Sequence, residues 1–194
     1  SYKPIALPPH TDNPYRKPEA PGIQFLHCLK NEVSGGFSTL VDGFSVAEYI
    51  KLNEPEAFES LTKTNLRYRF QDKDIILENW GELIELDKDG DYKQVRYSTR
   101  VDYVPPLETE KLESFYKARK LLGDLYTSSD FEIKFKLSPG DVMMFDNHRL
   151  LHGRTSYDSS EGARHLQGCY LEFDSTDGKL RHLHEKYHLS ETNL

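Results

Sequence analysis

FEIKFKLSPGDVMMFDNHRLLHGR, residues 131 to 154, carries the pattern on which the fold turns. Phe131, Ile133, Phe135 and Leu137 alternate with Glu132, Lys134 and Lys136. Successive side chains of a strand point to opposite faces, so this stretch reads as a strand with one apolar face. SPGD, 138 to 141, is a turn. VMMF, 142 to 145, is a short unbroken apolar run and reads as a buried strand. LLHGR, 150 to 154, is a further apolar run that ends on His152 and a glycine.

The same punctuation recurs on both sides. GIQFLHCLK, 22 to 30, is apolar at nearly every position and predicts a strand buried on both faces. SGG, 34 to 36, is a turn, and FSTLVDGF, 37 to 44, a second strand. Ser45 reads as a helix N-cap, and a second helix is expected from about Asn53 to Leu61 with Pro55 early in it. LRYRF, 66 to 70, alternates as a strand; GELIELD and QVRYS read as partners across the hairpin turn KDGDY. Leu112, Phe115, Tyr116, Arg119, Leu122 and Leu125 recur at helical spacing between Glu108 and Tyr126. RHLQGCYLEFD, 164 to 174, is the last expected strand, and the polar tail, 175 to 194, is expected to be helical. Many short strands with a few helices predict a mainly β fold, a sandwich or barrel with flanking helices.

Composition narrows the function. A chain of 194 residues is long enough for one well-cored domain. The net charge of −7, with no basic run, argues against nucleic acid as a partner. No stretch of about 18 apolar residues exists, so no membrane span is expected. The two cysteines, Cys28 and Cys169, lie in apolar contexts and are expected to be buried thiols, which suits a reducing cytoplasm. No GxGxxG, Walker loop or GxSxG is present.

The chemistry-bearing residues are histidines and an aspartate. PPHTDN, 8 to 13, sets His10 and Asp12 two residues apart, on one face if the segment is extended. FDNHRLLHGR offers His148 and His152. A single one of these reads most simply as a core or surface residue. Together, His10, Asp12 and His152 make a two-histidine, one-carboxylate set, which leaves three faces of an octahedral iron open. A bidentate 2-oxo acid and dioxygen would fill those faces. Arg164 stands at the start of an otherwise apolar strand, where a guanidinium can grip the far carboxylate of such an acid.

HTD at 10 to 12, GIQFLHCL at 22 to 29, GGFSTLVDGF at 35 to 44, LSPGDVMMFDNHRLLHGRTSY at 137 to 157 and RHLQGCYLEFD at 164 to 174 resemble one family in order and spacing. It is the Fe(II)/2-oxoglutarate dioxygenases, in the branch of the gamma-butyrobetaine and trimethyllysine dioxygenases; taurine dioxygenases share the outline less closely. The resemblance implies a double-stranded β-helix, or jelly roll. It implies Fe(II) at His10, Asp12 and His152, 2-oxoglutarate on Arg164 with Ser38 beside it, and dioxygen as co-reactant. It implies an aromatic cage for a small trimethylammonium substrate, with Tyr2 and Tyr170 in its wall. Residues 1 to 194 are then one catalytic oxygenase domain, short at its N-terminus and without the family's small zinc domain. A homodimer is compatible with this reading. YSTRVDY, 97 to 103, departs from the Asn-containing pattern that some butyrobetaine enzymes use near the substrate. The rival from another class is a jelly-roll binding module without metal, against which the presence of all three ligands and the arginine argues.

Overall fold

In the computed structural model, which describes residues 4–187, the chain runs through strands β1 (Leu7–His10), β2 (Ile23–Asn31) and β3 (Ser38–Asp42) into helices α1 (Gly43–Asn53) and α2 (Pro55–Lys63). Strands β4 (Leu66–Gln71), β5 (Ile76–Gly81), β6 (Ile84–Leu86), β7 (Tyr92–Val95) and β8 (Asp102–Tyr103) follow, then helix α3 (Thr109–Tyr126). Strands β9 (Glu132–Phe135), β10 (Val142–Asp146), β11 (Leu150–Arg154) and β12 (Arg164–Leu171) lead to α4 (Phe173–Tyr187).

Two antiparallel sheets form the frame. One has the order β1-β11-β3-β9 and the other β10-β2-β12. They face each other across a small apolar cluster. Leu40, Phe135 and Leu150 come from the first sheet; Leu26, Cys28, Met143, Phe145 and Leu166 come from the second. The mainly β fold with flanking helices, expected as a jelly roll, is the fold observed.

Parity decides what each sheet does next. On the first sheet, Leu40 and Leu150 face its partner, so Val41 and Leu151 point the other way. There they join a larger core with Val46 and Ile50 of α1, Leu61 of α2 and Phe115 and Leu122 of α3. The first sheet is therefore covered on both faces. The second sheet is not. Met143 and Phe145 are buried, while Val142 and Met144 between them are 56% and 63% exposed. VMMF is thus an alternating strand, not one buried on both faces. GIQFLHCLK is corrected in the same way: within β2 only Gln24 and Cys28 are fully buried. Cys169, on the outward parity of β12, is exposed, and only Cys28 is the buried thiol expected.

Smaller boundaries also moved. The N-cap of α1 is Asp42 rather than Ser45, because the Asp42 carboxylate accepts the N–H groups of Phe44 and Ser45. Arg149 holds both oxygens of that carboxylate, at 3.0 and 2.6 Å, which fixes the cap to the end of the neighbouring strand. FEIKFKL is strand only over its centre, and Ile133, on the edge of the first sheet, is 59% exposed. The last strand stops at Leu171, and the helix expected later already starts at Phe173. Strand β5, which pairs with β4, lacked a clean alternation and was not expected. Among the described residues no helix is long and apolar enough to cross a membrane.

Candidate metal centre and adjoining pockets

His10 ends β1 directly opposite His152 on β11, and their ring centroids are 4.4 Å apart. Gly153 makes this close pairing possible. A Cβ there would fall 2.6 Å from the Leu7 carbonyl and 2.7 Å from Thr39 Oγ1, so any side chain would push β11 away from both neighbours.

Asp12 reaches the histidines by a route the extended reading did not contain. The strand ends at His10, and the next residues are clamped from outside. The Thr11 N–H donates to the Tyr97 carbonyl, and the Tyr97 N–H donates to Thr11 Oγ1, each at 3.0 Å. Asn147, fully buried, takes both main-chain groups of Asp12: its Oδ1 accepts the Asp12 N–H at 2.8 Å, and its Nδ2 donates to the Asp12 carbonyl at 3.0 Å. Asn13 then turns the chain away with φ +55°, a conformation asparagine tolerates.

The result is one cluster. Ligand-capable atoms of His10, Asp12 and His152 all lie within 4.8 Å of one another. His10 Nε2 is 3.3 Å from Asp12 Oδ1, and His152 Nε2 is 3.6 Å from Asp12 Oδ2. His10 Nδ1 lies 2.9 Å from the Pro8 carbonyl, so that nitrogen carries the proton and Nε2 keeps a lone pair toward the cluster. Burial, and then the neighbouring His10, push the His152 pKa down to about 3. Its ring is neutral near pH 7, with a free lone pair. Burial opposes the charge on Asp12, yet His10 and His152 in their protonated forms, together with the Tyr170 hydroxyl bond, hold its pKa well below the usual carboxylate range, as a cation bound between them would. Two imidazoles and one carboxylate at these separations fit a divalent first-row metal such as Fe(II). The other histidine of the FDNHRLLHGR stretch takes no part: His148 Nε2 bonds the Ala20 carbonyl at 2.7 Å, and its ring meets Phe173 edge-on.

The facing sheet contributes to the same carboxylate. Tyr170 Oη donates to Asp12 Oδ2 at 2.6 Å, and Gln24 Nε2 donates to the same oxygen at 2.9 Å. Tyr170 was expected as a wall for a trimethylammonium group; its hydroxyl is here committed to Asp12. Burial and the Asp12 charge raise its pKa, so it remains a donor. Gln24 was missed in the sequence, where it stood as a polar break in an apolar run. Its position on the inward parity of β2, almost fully buried, is the signal that marks it. Tyr2 lies outside the described residues.

Arg164 sits at the far end of the inter-sheet space. Arg154 lies two residues past His152, on the same face of β11 and about 7 Å along the strand. Both guanidinium groups lie over the Tyr157 ring, Arg154 at 4.9 Å and Arg164 at 5.6 Å. Arg164 donates to the Gly36 carbonyl at 3.2 Å, and its buried Nε has no hydrogen-bond partner. Burial and the charge of Arg154 lower its pKa. Gly36, at φ +70°, gives it room: a Cβ there would lie 2.8 Å from Arg164 Nε. A half-buried guanidinium with spare donors beside a second cation is a place for an anion. Ser38 is buried on β3 opposite Arg154. Arg149, the arginine just before β11, is occupied by Asp42.

A cavity of about 270 Å³ opens on the other side of His10 and Asp12. Tyr15, Phe70, Ser98 and Arg100 form much of its wall. Tyr15 and Phe70 stack with centroids 5.0 Å apart, although they are 55 positions apart in the chain. No local pattern announced that pair.

The taurine catabolism dioxygenase TauD, TfdA family matches residues 2–170. Human gamma-butyrobetaine dioxygenase is 38% identical over 182 residues, covering 91% of this chain and 47% of that protein. Bovine mitochondrial trimethyllysine dioxygenase is 34% identical over 187 residues, covering 90% of this chain and 42% of that protein. The chain thus spans less than half the length of these relatives. Among solved structures, asparagine oxygenase in complex with Fe(II), 2S,3S-3-hydroxyasparagine and succinate superposes with a TM-score of 0.67 at 18% identity, over 87% of this chain and 50% of that one.

Proposed function

This chain belongs to the taurine catabolism dioxygenase TauD, TfdA family, and from that premise we propose that it is a catalytic domain of an Fe(II)- and 2-oxoglutarate-dependent dioxygenase. The reaction is hydroxylation of an aliphatic C–H bond in a small trimethylammonium substrate, with gamma-butyrobetaine, giving carnitine, as the first choice. The observation that carries the reading is the convergence of His10, Asp12 and His152, with their ligand atoms within 4.8 Å.

In this reading His10, Asp12 and His152 hold the iron. Bound Fe(II) supplies the activation of dioxygen that couples decarboxylation of 2-oxoglutarate, to succinate and carbon dioxide, to insertion of one oxygen atom into the substrate. The chain's own residues position the participants. Asn147 and Tyr97 fix the main chain that carries Asp12. Gln24 and Tyr170 occupy Asp12 Oδ2, which leaves Oδ1 as the free oxygen. Arg164 grips the far carboxylate of 2-oxoglutarate, supported by Arg154, with Ser38 beside them.

Trimethyllysine is the second choice, supported by the 34% identity to the bovine enzyme. The test is anaerobic addition of Fe(II) and 2-oxoglutarate, which should give a weak visible charge-transfer band, followed by succinate release with a panel of trimethylammonium and sulfonate substrates. Absence of both rejects the oxygenase. Tyr170→Leu addresses the cage. If the Tyr170 ring also faces a cation, its loss removes an attraction of roughly 0.5–2 kcal/mol. The variant should then lose selectivity for gamma-butyrobetaine over its neutral tert-butyl isostere. A wild type without that selectivity overturns the trimethylammonium assignment.

A further inference from the structure

The connection between β11 and β12, residues 155–163, docks on the turn between β2 and β3. The Gly36 N–H donates to the Ser156 carbonyl at 3.0 Å, and the Thr155 N–H donates to the Phe37 carbonyl at 2.9 Å. The Phe37 N–H returns a bond to Thr155 Oγ1 at 2.9 Å. Further along, Glu161 accepts the Ser34 N–H and hydroxyl at 2.6 and 2.9 Å, and the Ala163 N–H donates to Glu32 at 2.8 Å. Gly35 permits this close approach, since a Cβ there would fall 2.5 Å from the Ser156 carbonyl oxygen. Tyr157 is thereby fixed at its main chain, and its own N–H donates to the Pro4 carbonyl at 3.1 Å.

Two guanidinium groups share the Tyr157 ring, one from each sheet: Arg154 belongs to β11 and Arg164 to β12. Their charges repel, and after burial Arg154 is the next cause that holds the Arg164 pKa below its ordinary value. The acids of the connection are engaged by serines, Asp158 by Ser160 and Glu161 by Ser34. An aromatic face suits this position in a way that a carboxylate would not. The ring quadrupole attracts a guanidinium, yet it neither neutralises the charge nor takes up an N–H in an ion pair. Both charges then remain for an incoming anion.

We infer that Tyr157 is the positioning residue of the 2-oxo acid site: its ring holds Arg164 and Arg154 where they meet the far carboxylate, and so sets the preference for a 2-oxo acid with a second carboxylate. The inference deepens the proposed oxygenase reading and rests on it for the acid that binds. Tyr157 stands last in the stretch LSPGDVMMFDNHRLLHGRTSY. Its place there gives no sign of the role, because the two arginines reach the ring from different sheets.

The test is equilibrium binding in the presence of Mn(II), separate from turnover. Calorimetry compares 2-oxoglutarate with 2-oxovalerate, which has the same chain length and the same 2-oxo acid end but no far carboxylate. Wild type should bind 2-oxoglutarate more tightly. Y157L should weaken 2-oxoglutarate roughly two- to thirty-fold, the worth of a cation–π contact, and leave 2-oxovalerate unchanged. Y157F keeps the ring and should bind both acids as wild type does. Y157Q, ringless but suited to a half-buried position, should repeat the split of Y157L. Equal losses for the two acids, no loss in either ringless variant, or a Y157F protein as impaired as Y157L overturns the inference. Failure of the oxygenase reading has a different signature: a wild type that binds neither 2-oxo acid with Mn(II) present.

Discussion

The two sheets that enclose the candidate site differ in how they are supported. The β1-β11-β3-β9 sheet is packed on both faces, by the facing sheet and by the helical core. The β10-β2-β12 sheet is packed on its inner face, and its outer face presents Val142, Met144 and Leu171 to solvent. The doubly packed sheet carries the two histidines. The singly packed sheet carries Gln24, Tyr170 and Arg164, which orient the carboxylate and offer charge. Metal ligands tolerate little displacement, because coordination distances are short. Hydrogen-bonding groups tolerate more. The division of roles follows the division of support.

This comparison can be broken at several points. The largest effect is expected at Asp12. Asp12→Ala removes the only carboxylate of the cluster, and Mn(II) binding followed by calorimetry should be abolished; retained affinity would remove the metal centre from the doubly packed sheet. Arg164→Ala comes next. Loss of a half-buried charge-assisted contact costs roughly 2–5 kcal/mol, so the affinity for 2-oxoglutarate should fall about 30- to several-thousand-fold. An unchanged 2-oxoglutarate requirement would move the clamp to Arg154.

The next two predictions concern packing. Leu122, fully buried in the helical core, should cost about 2–5 kcal/mol on Leu122→Ala in urea titration. Met143 lies in the smaller inter-sheet cluster and is slightly exposed. Met143→Ala should cost about 2 kcal/mol, at the low end of that range. Equal losses would show that the two clusters support the fold alike. The smallest effect is expected outside. Met144→Ser on the bare face should change stability by no more than about 0.5 kcal/mol. A loss well beyond that would mean that the face is covered in the protein in solution.

Legibility in the sequence followed the range of the interactions. Helix α3 was readable because its spacing repeats within a few residues, and the strands because alternation is local. The cap of α1 was misplaced by three positions because Asp42 owes its role partly to Arg149, 107 residues away. The apolar runs of β2 and β10 concealed a one-sided burial. Hydrophobicity states what a residue tolerates, and it does not state whether a neighbour will cover it.

The site divides along the same line. The types of side chain that could hold a metal, and their order along the chain, were set by the sequence: a histidine and an aspartate two apart, a later histidine, and an arginine twelve residues beyond it. Their meeting was decided by tertiary structure. His10 faces His152 because β1 pairs with β11 over Gly153, and Asp12 turns inward because Asn147 and Tyr97 hold its main chain. Gln24 and the Tyr15–Phe70 wall were decided there too. Each depends on contacts between residues distant in sequence, and such contacts leave no local periodicity to read.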